Sequence, residues 1–221
     1  MTTIGFAMIR LLTALLFLLL AAPAWALPPF LDGNASRRLE FDIVRHGETI
    51  GIHSLAFSNR AGTVEVEFRV NVLVTLLSIP VYRYEQHGTE VWEGDTLKSL
   101  VAKSNDNGTV HSVRAERHGA RIRVVTNRET LDIAEMPTMT LWRAIPPHVT
   151  QAIDPTDGKP SPVFATDKGW ETITVRGAPI RAHRWAWDGE MKRQLWYDES
   201  GALVQMHVTG SDGSDIYYVL R

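Results

Sequence analysis

Val64-Glu-Val-Glu-Phe-Arg-Val-Asn-Val-Leu-Val74 alternates apolar and polar side chains along almost its whole length. A strand turns successive side chains to opposite faces. Val64, Val66, Phe68, Val70, Val72 and Val74 therefore share one apolar face, while Glu65, Glu67, Arg69 and Asn71 stand on the other. That is a strand with one side in a core and one in water. Shorter copies of the pattern flank it. Leu39, Phe41 and Ile43 alternate with Glu40 and Asp42. Ile122 and Val124 alternate with Arg121 and Arg123, and Val204, Met206 and Val208 with Gln205 and His207. Ile216, Tyr218 and Leu220 repeat it at the end of the chain.

Glycine turns punctuate these runs: His46-Gly47, Asn107-Gly108, His118-Gly119, Arg176-Gly177, Asp188-Gly189, Ser200-Gly201 and Asp212-Gly213. Asn-Gly is the strongest hairpin signal, because both residues tolerate the positive φ of a type I′ turn. No helical stretch separates the strands, as a parallel sheet would need. The expected fold is all-β: a strongly curved, mostly meander antiparallel sheet, an incomplete barrel. Residues 50–57 break parity, since Ile50 and Ile52 lie on one face and Leu55 and Phe57 on the other. A bulge near His53-Ser54, or burial on both faces, restores the register. Prolines crowd 134–147 and 153–162, which predicts a loop with one short helix around 138–152. That loop crosses between strands in 37–134 and strands in 160–221.

The first 26 residues carry a different message. An apolar run from Leu11 to Ala22 follows Arg10 and ends in Ala24-Trp25-Ala26. A cation, a short apolar segment and an A-x-A site make a secretory signal peptide, cut between Ala26 and Leu27. The run is short for a membrane span, which takes roughly 20 apolar residues. The expectation is a signal helix over 1–26, a disordered linker over 27–36 and one antiparallel β domain over 37–221. The exported product is then soluble and periplasmic, and no cysteine follows the cut to carry a lipid.

The chain has 221 residues and no cysteine, which excludes a thiol nucleophile, a redox dithiol and a thiolate metal site. Without the leader the balance is 22 basic residues (23 less Arg10) to 25 acidic ones, a net charge of −3. A nucleic-acid binder shows the opposite, a strong basic excess. No G-x-S-x-G elbow, phosphate loop or H-E-x-x-H is present. His53 and Ser54, neighbours on a strand, point to opposite faces and cannot pair as base and nucleophile. The eight histidines are scattered, and no Asp-rich turn matches a calcium loop, so neither metal nor cofactor is expected. Arg114, Arg117, Arg121, Arg123 and Arg128 read as the wet face of a hairpin.

Aromatic residues carry the functional reading. Tyr82 and Tyr84 share a strand face, as do Trp185 and Trp187, with Trp92 and Trp142 elsewhere. Large rings fill cores, but rings with polar tips also line troughs for apolar ligands. The candidate ligand-binding residues are Tyr82, Tyr84, Trp92, Trp142 and Trp185, with Arg83 as polar anchor. Tyr82 to Trp92 also reads as a hairpin about Gly88 that sets Glu85, Glu90 and Glu93 around it, a possible acid–base pair.

Four segments carry a family resemblance: Phe41-Asp-Ile-Val-Arg-His-Gly-Glu-Thr-Ile-Gly-Ile-His53, Tyr82-Arg-Tyr-Glu85, Glu90-Val-Trp92 and Leu195-Trp-Tyr-Asp198. Together they resemble an uncharacterised family of exported bacterial proteins known only as a domain of unknown function, over 37–221. That family assigns no catalytic residue to carry over. More loosely, the hairpin with Gly47-Glu-Thr-Ile-Gly51 is similar to LolA/LolB-type lipoprotein carriers, whose curved sheet wraps an acyl chain. This chain lacks the lipidated cysteine of the outer-membrane receptor kind. Three functions stay open: a periplasmic binder of a lipid or other apolar small molecule, a non-catalytic envelope module that docks a protein partner, and a carboxylate-dependent hydrolase.

Overall fold

The computed structural model describes residues 27–33, 36–189, 191–210 and 212–221. The expected signal helix and its site at Ala24 and Ala26 lie outside the described residues; Leu27, beyond the cut, is half-buried. Strands β1 (Ser36–Arg45), β2 (Glu48–Arg60), β3 (Thr63–Leu76), β4 (Ile79–Glu93) and β5 (Thr96–Asp106) follow one another by tight turns. They continue as β6 (Thr109–His118), β7 (Arg121–Thr126) and β8 (Thr130–Ala134). After a long crossing come β9 (Gln151–Ile153), β10 (Pro160–Val175), β11 (Ala178–Gly189), β12 (Arg193–Asp198), β13 (Leu203–Thr209) and β14 (Asp215–Leu220).

All lie in one 14-stranded sheet of order β8-β7-β6-β5-β4-β3-β2-β1-β14-β13-β12-β11-β10-β9. Each strand pairs with its neighbour in sequence, except that β1 pairs antiparallel with β14, from Phe41↔Leu220 to Arg45↔Ile216. The two ends of the domain thus meet in mid-sheet; the outermost strands are β8 and β9, and β9 covers β10 only over Pro160–Pro162. One continuous cluster takes Leu55 from β2, Val66 from β3, Leu100 from β5, Val124 from β7 and Met206 from β13. A single sheet can bring such distant strands onto one core only by curving round it.

Where the sheet stays open, the turn after β9 tucks into the concavity. Thr156 Oγ1 lies 3.1 Å from Tyr84 Oη and 3.3 Å from Gln86 Nε2, and Ser104 Oγ donates to its carbonyl at 3.4 Å. Gly158, at φ +77°, leaves no room for a side chain: a Cβ there would lie 2.8 Å from Val124 Cγ1.

Several expectations are corrected. The crossing loop contains no helical turn over 138–150; Thr138 makes a parallel bridge to Ile153 instead. Pro137, Pro146 and Pro147 lack the N–H groups a helix there would use. The β1–β2 bulge falls at Ile50, where Ile43↔Gly51 gives way to Val44↔Thr49. His53 then shares the inward face with Leu55 and Phe57. The 27–36 linker is packed through Leu27, Phe30 and Leu31: Pro29–Leu31 form a 3₁₀ turn, and Leu31 is fully buried. Its carbonyl accepts a 2.7 Å hydrogen bond from Asn59 Nδ2.

Tyr82 to Trp92 is no hairpin. It runs inside the single strand β4, and Gly88 faces Phe68 of β3. A Cβ at Gly88 would sit 2.4 Å from Phe68 Cζ and 2.5 Å from the Val101 carbonyl, so the ring lies over bare backbone. Glycine in a strand interior costs entropy and marks such a close approach. Gly88→Ala should therefore destabilise the protein by about 1–3 kcal/mol through overpacking, read as a lower urea midpoint at unchanged slope.

Candidate functional site

The inward face of β3 is fully buried at Val64, Val66 and Phe68 and only half-buried at Val70, Val72 and Val74. The apolar pattern is continuous, so the change lies in what faces it. One end of the curved sheet is packed solid; the other is hollow.

The solid end is built round Glu90, fully buried on the inward face of β4. Its carboxylate accepts hydrogen bonds from Trp92 Nε1 at 2.8 Å, Trp142 Nε1 at 3.0 Å and Thr140 Oγ1 at 3.0 Å. Trp142 and Thr140 belong to the crossing loop, which this carboxylate ties down. Trp142 packs edge-on against Trp92 and Phe57, with centroids 6.0 and 5.9 Å apart. The Arg143 guanidinium lies 4.0 Å from the centroid of the Trp92 ring. Burial pushes the Glu90 carboxyl above its usual range, against the opposing pull of its donors.

The hollow end is a cavity of about 540 Å³. Its walls are Ile43, Val70, Val72, Met206, Val208 and Ile216, with Tyr82 and Tyr84 on one side and Tyr218 on the other. His53 and Gln86 bring polar groups to its lining, and Asp106 and Arg193 also border it. His53 is 5% exposed, sits between the rings of Phe41 and Tyr218 at 5.8 Å each, and its Nδ1 has no hydrogen-bond partner. Burial drops its pKa to about 4, so the imidazole is neutral near pH 7. Burial also raises the phenol of Tyr84 to about 12, so it stays a neutral donor.

Only Tyr82 and Tyr84 of the expected ligand-binding set line the cavity. Arg83 points to the opposite face, exposed, and pairs with Glu85 at 3.6 Å, so it anchors nothing inside. Trp92 and Trp142 fill the solid end. Trp185 is half-buried against the core, its ring 5.0 Å from His183, which stacks on Trp170. Glu85 and Glu90 are an odd number of residues apart on one strand, hence on opposite faces, and cannot flank one substrate. Glu93 is exposed and pairs with Lys98 at 2.8 Å. Among the basic residues of 111–128, Arg114, Arg117 and Arg121 pair with Glu116, Glu135 and Asp132. Among the described residues no group of three or more His, Asp or Glu is arranged to hold a metal, and no helix is long and apolar enough to cross a membrane. His53 and Gln86 were missed, and placing the bulge at Ile50 would have turned His53 inward.

A single meandering sheet curled round a part-hollow core defines a β-barrel-like protein. The chain belongs to the family described as domain of unknown function DUF6134, whose model matches residues 41–221. It is similar in structure to the β-barrel-like protein of domain of unknown function DUF1849 from Brucella abortus, with a TM-score of 0.63. That match has 11% identity and covers 85% of this chain and 96% of the other. At that identity the likeness speaks for the fold alone. No curated protein matches.

Two variants test this division. Glu90→Ala strands two buried indole N–H groups and opens a void, and should cost about 3–5 kcal/mol in urea unfolding. His53 has its pKa lowered from 6.5 to about 4 in the fold. Its neutral form contributes stability that is fully present above pH 6.5 and is lost as pH falls toward 4. Wild-type stability should fall by about 3 kcal/mol across that window from this group. In His53→Leu, urea unfolding at pH 4 and pH 7 should differ by that much less.

Proposed function

We propose that this protein is exported to the periplasm and there holds a lipid-like, apolar or amphipathic molecule in the hollow end of its sheet. The observation that carries the reading is the chamber itself: Val70, Val72, Met206, Val208 and Ile216 give it apolar walls, and His53, Gln86, Asp106 and Arg193 give its lining a few polar groups. A volume of about 540 Å³ falls within the range of roughly 300–1,000 Å³ typical of small-molecule sites. Strand addition to a protein partner is the second reading, since β9 covers β10 only over Pro160–Pro162 and leaves the edge of β10 from 163 to 175 without a ladder partner among the described residues.

The test is uptake of the apolar dye N-phenyl-1-naphthylamine in lipid-free buffer. Its fluorescence should rise and saturate with wild-type protein. Val72→Trp, which fills the chamber, should weaken dye binding at least tenfold, while Val101→Trp on the outer face should not. Equal dye binding by Val72→Trp and wild type would refute the cavity as the site.

A further inference from the structure

The β3–β4 hairpin is the other feature without a role in the core. Pairing of β3 with β2 stops at Val72, and pairing of β4 with β5 stops at Tyr84. Beyond these points the hairpin runs on alone to Leu76↔Ile79. At about 3.3 Å per residue it projects about 13 Å past its neighbours. No charged side chain occurs between Arg69 and Arg83. The tip exposes Leu76 (65%), Leu77 (90%) and Ile79 (64%), with Leu73 and Val81 also exposed.

The turn itself departs from the rest of the molecule. Among the described residues, five turns place two successive residues at positive φ: His46-Gly47, Ala61-Gly62, Leu77-Ser78, Asn107-Gly108 and Arg176-Gly177. Four of them end in glycine; the one at the tip holds leucine at φ 49° and serine at φ 65°. A bulky side chain in the left-handed region is strained, and such strain concentrates where function demands it. Here it keeps a leucine at the most exposed point of the finger.

We infer that this hairpin tip docks the open end of the protein on a lipid bilayer. The apolar residues choose the occupant. Leu73 and Val74 are neighbours on one strand and so face opposite ways, and Leu77 caps the end. The finger is thus apolar on both faces. A protein groove or a second copy of this chain covers one face of a ribbon, whereas an acyl layer surrounds it. The open edges of the hairpin keep unpaired backbone groups, which hydrocarbon does not tolerate. Docking is therefore shallow, at the headgroup–acyl boundary, with Tyr82 placed where amphipathic rings favour the interface. Tyr82 and Val72 also line the cavity, so the finger and the chamber are continuous. Taken with the ligand-binding reading, on which this last step rests, the finger sets the chamber mouth against the membrane its ligand comes from.

The test uses the exported protein with its leader removed and vesicles of phosphatidylcholine. Wild type should sediment with vesicles, and the double variant Leu76→Asp, Leu77→Asp should lose at least tenfold in partition at unchanged thermal midpoint. Because the chain has no cysteine, Leu77→Cys and, at the opposite end of β3, Arg60→Cys each accept a single environment-sensitive dye. Vesicles should shift the dye at 77 to the blue and leave the dye at 60 unchanged. Wild type that stays in solution, a double variant that still sediments, or an unshifted dye at 77 would overturn the docking. So would a dimer, seen by light scattering, that the double variant abolishes. Lipid-free dye uptake reads the chamber separately: a double variant that still takes the dye but leaves the vesicles supports the finger, and Val72→Trp that keeps the vesicles but loses the dye supports both.

Discussion

A buried carboxylate holds the architecture together at one end. Glu90 collects the indole N–H groups of Trp92 and Trp142 and the hydroxyl of Thr140, so wall and crossing loop meet on one acceptor. A charge out of water is costly unless its hydrogen bonds are made, and donors from two distant segments make them here. With the loop fixed, Trp142 can pack on Phe57 and Trp92, and Leu31 from the N-terminal segment fills the space beyond.

What the closed end gains, the other end lacks. From Phe68 toward the mouth, the same inward face of β3 meets no loop tryptophan. The chamber keeps apolar walls at Val70, Val72, Met206, Val208 and Ile216, with His53, Gln86, Asp106 and Arg193 also on its lining. The turn at 154–159 bonds to Tyr84 and Gln86 of β4 and Ser104 of β5, so it borders the chamber without a further strand. The β3–β4 finger continues two of the chamber's own strands into solvent, which makes chamber and finger one structural unit.

Much of the fold was legible because alternation is a local property. Val64 to Val74, Leu39 to Ile43 and the last strand all lie as their period-two pattern places them. Gly88 misled because glycine marks both turns and close approaches. Here the approach is to Phe68, a residue on the neighbouring strand that no local pattern names. The aromatic residues misled for a related reason. Tyr84 and Trp92 have the same inward parity on β4, yet one borders a void and the other a packed tryptophan.

The sequence by itself determined the strands that alternate cleanly, their antiparallel sense, the single curved sheet and the family, since each follows from side-chain period, turn chemistry and local segments. Only the tertiary structure decided which half of the inner face is full and which is empty. That depends on where a proline-rich loop comes to rest, and the loop rests where a carboxylate 52 residues earlier in the chain can accept its tryptophan. No periodicity encodes a contact over that distance.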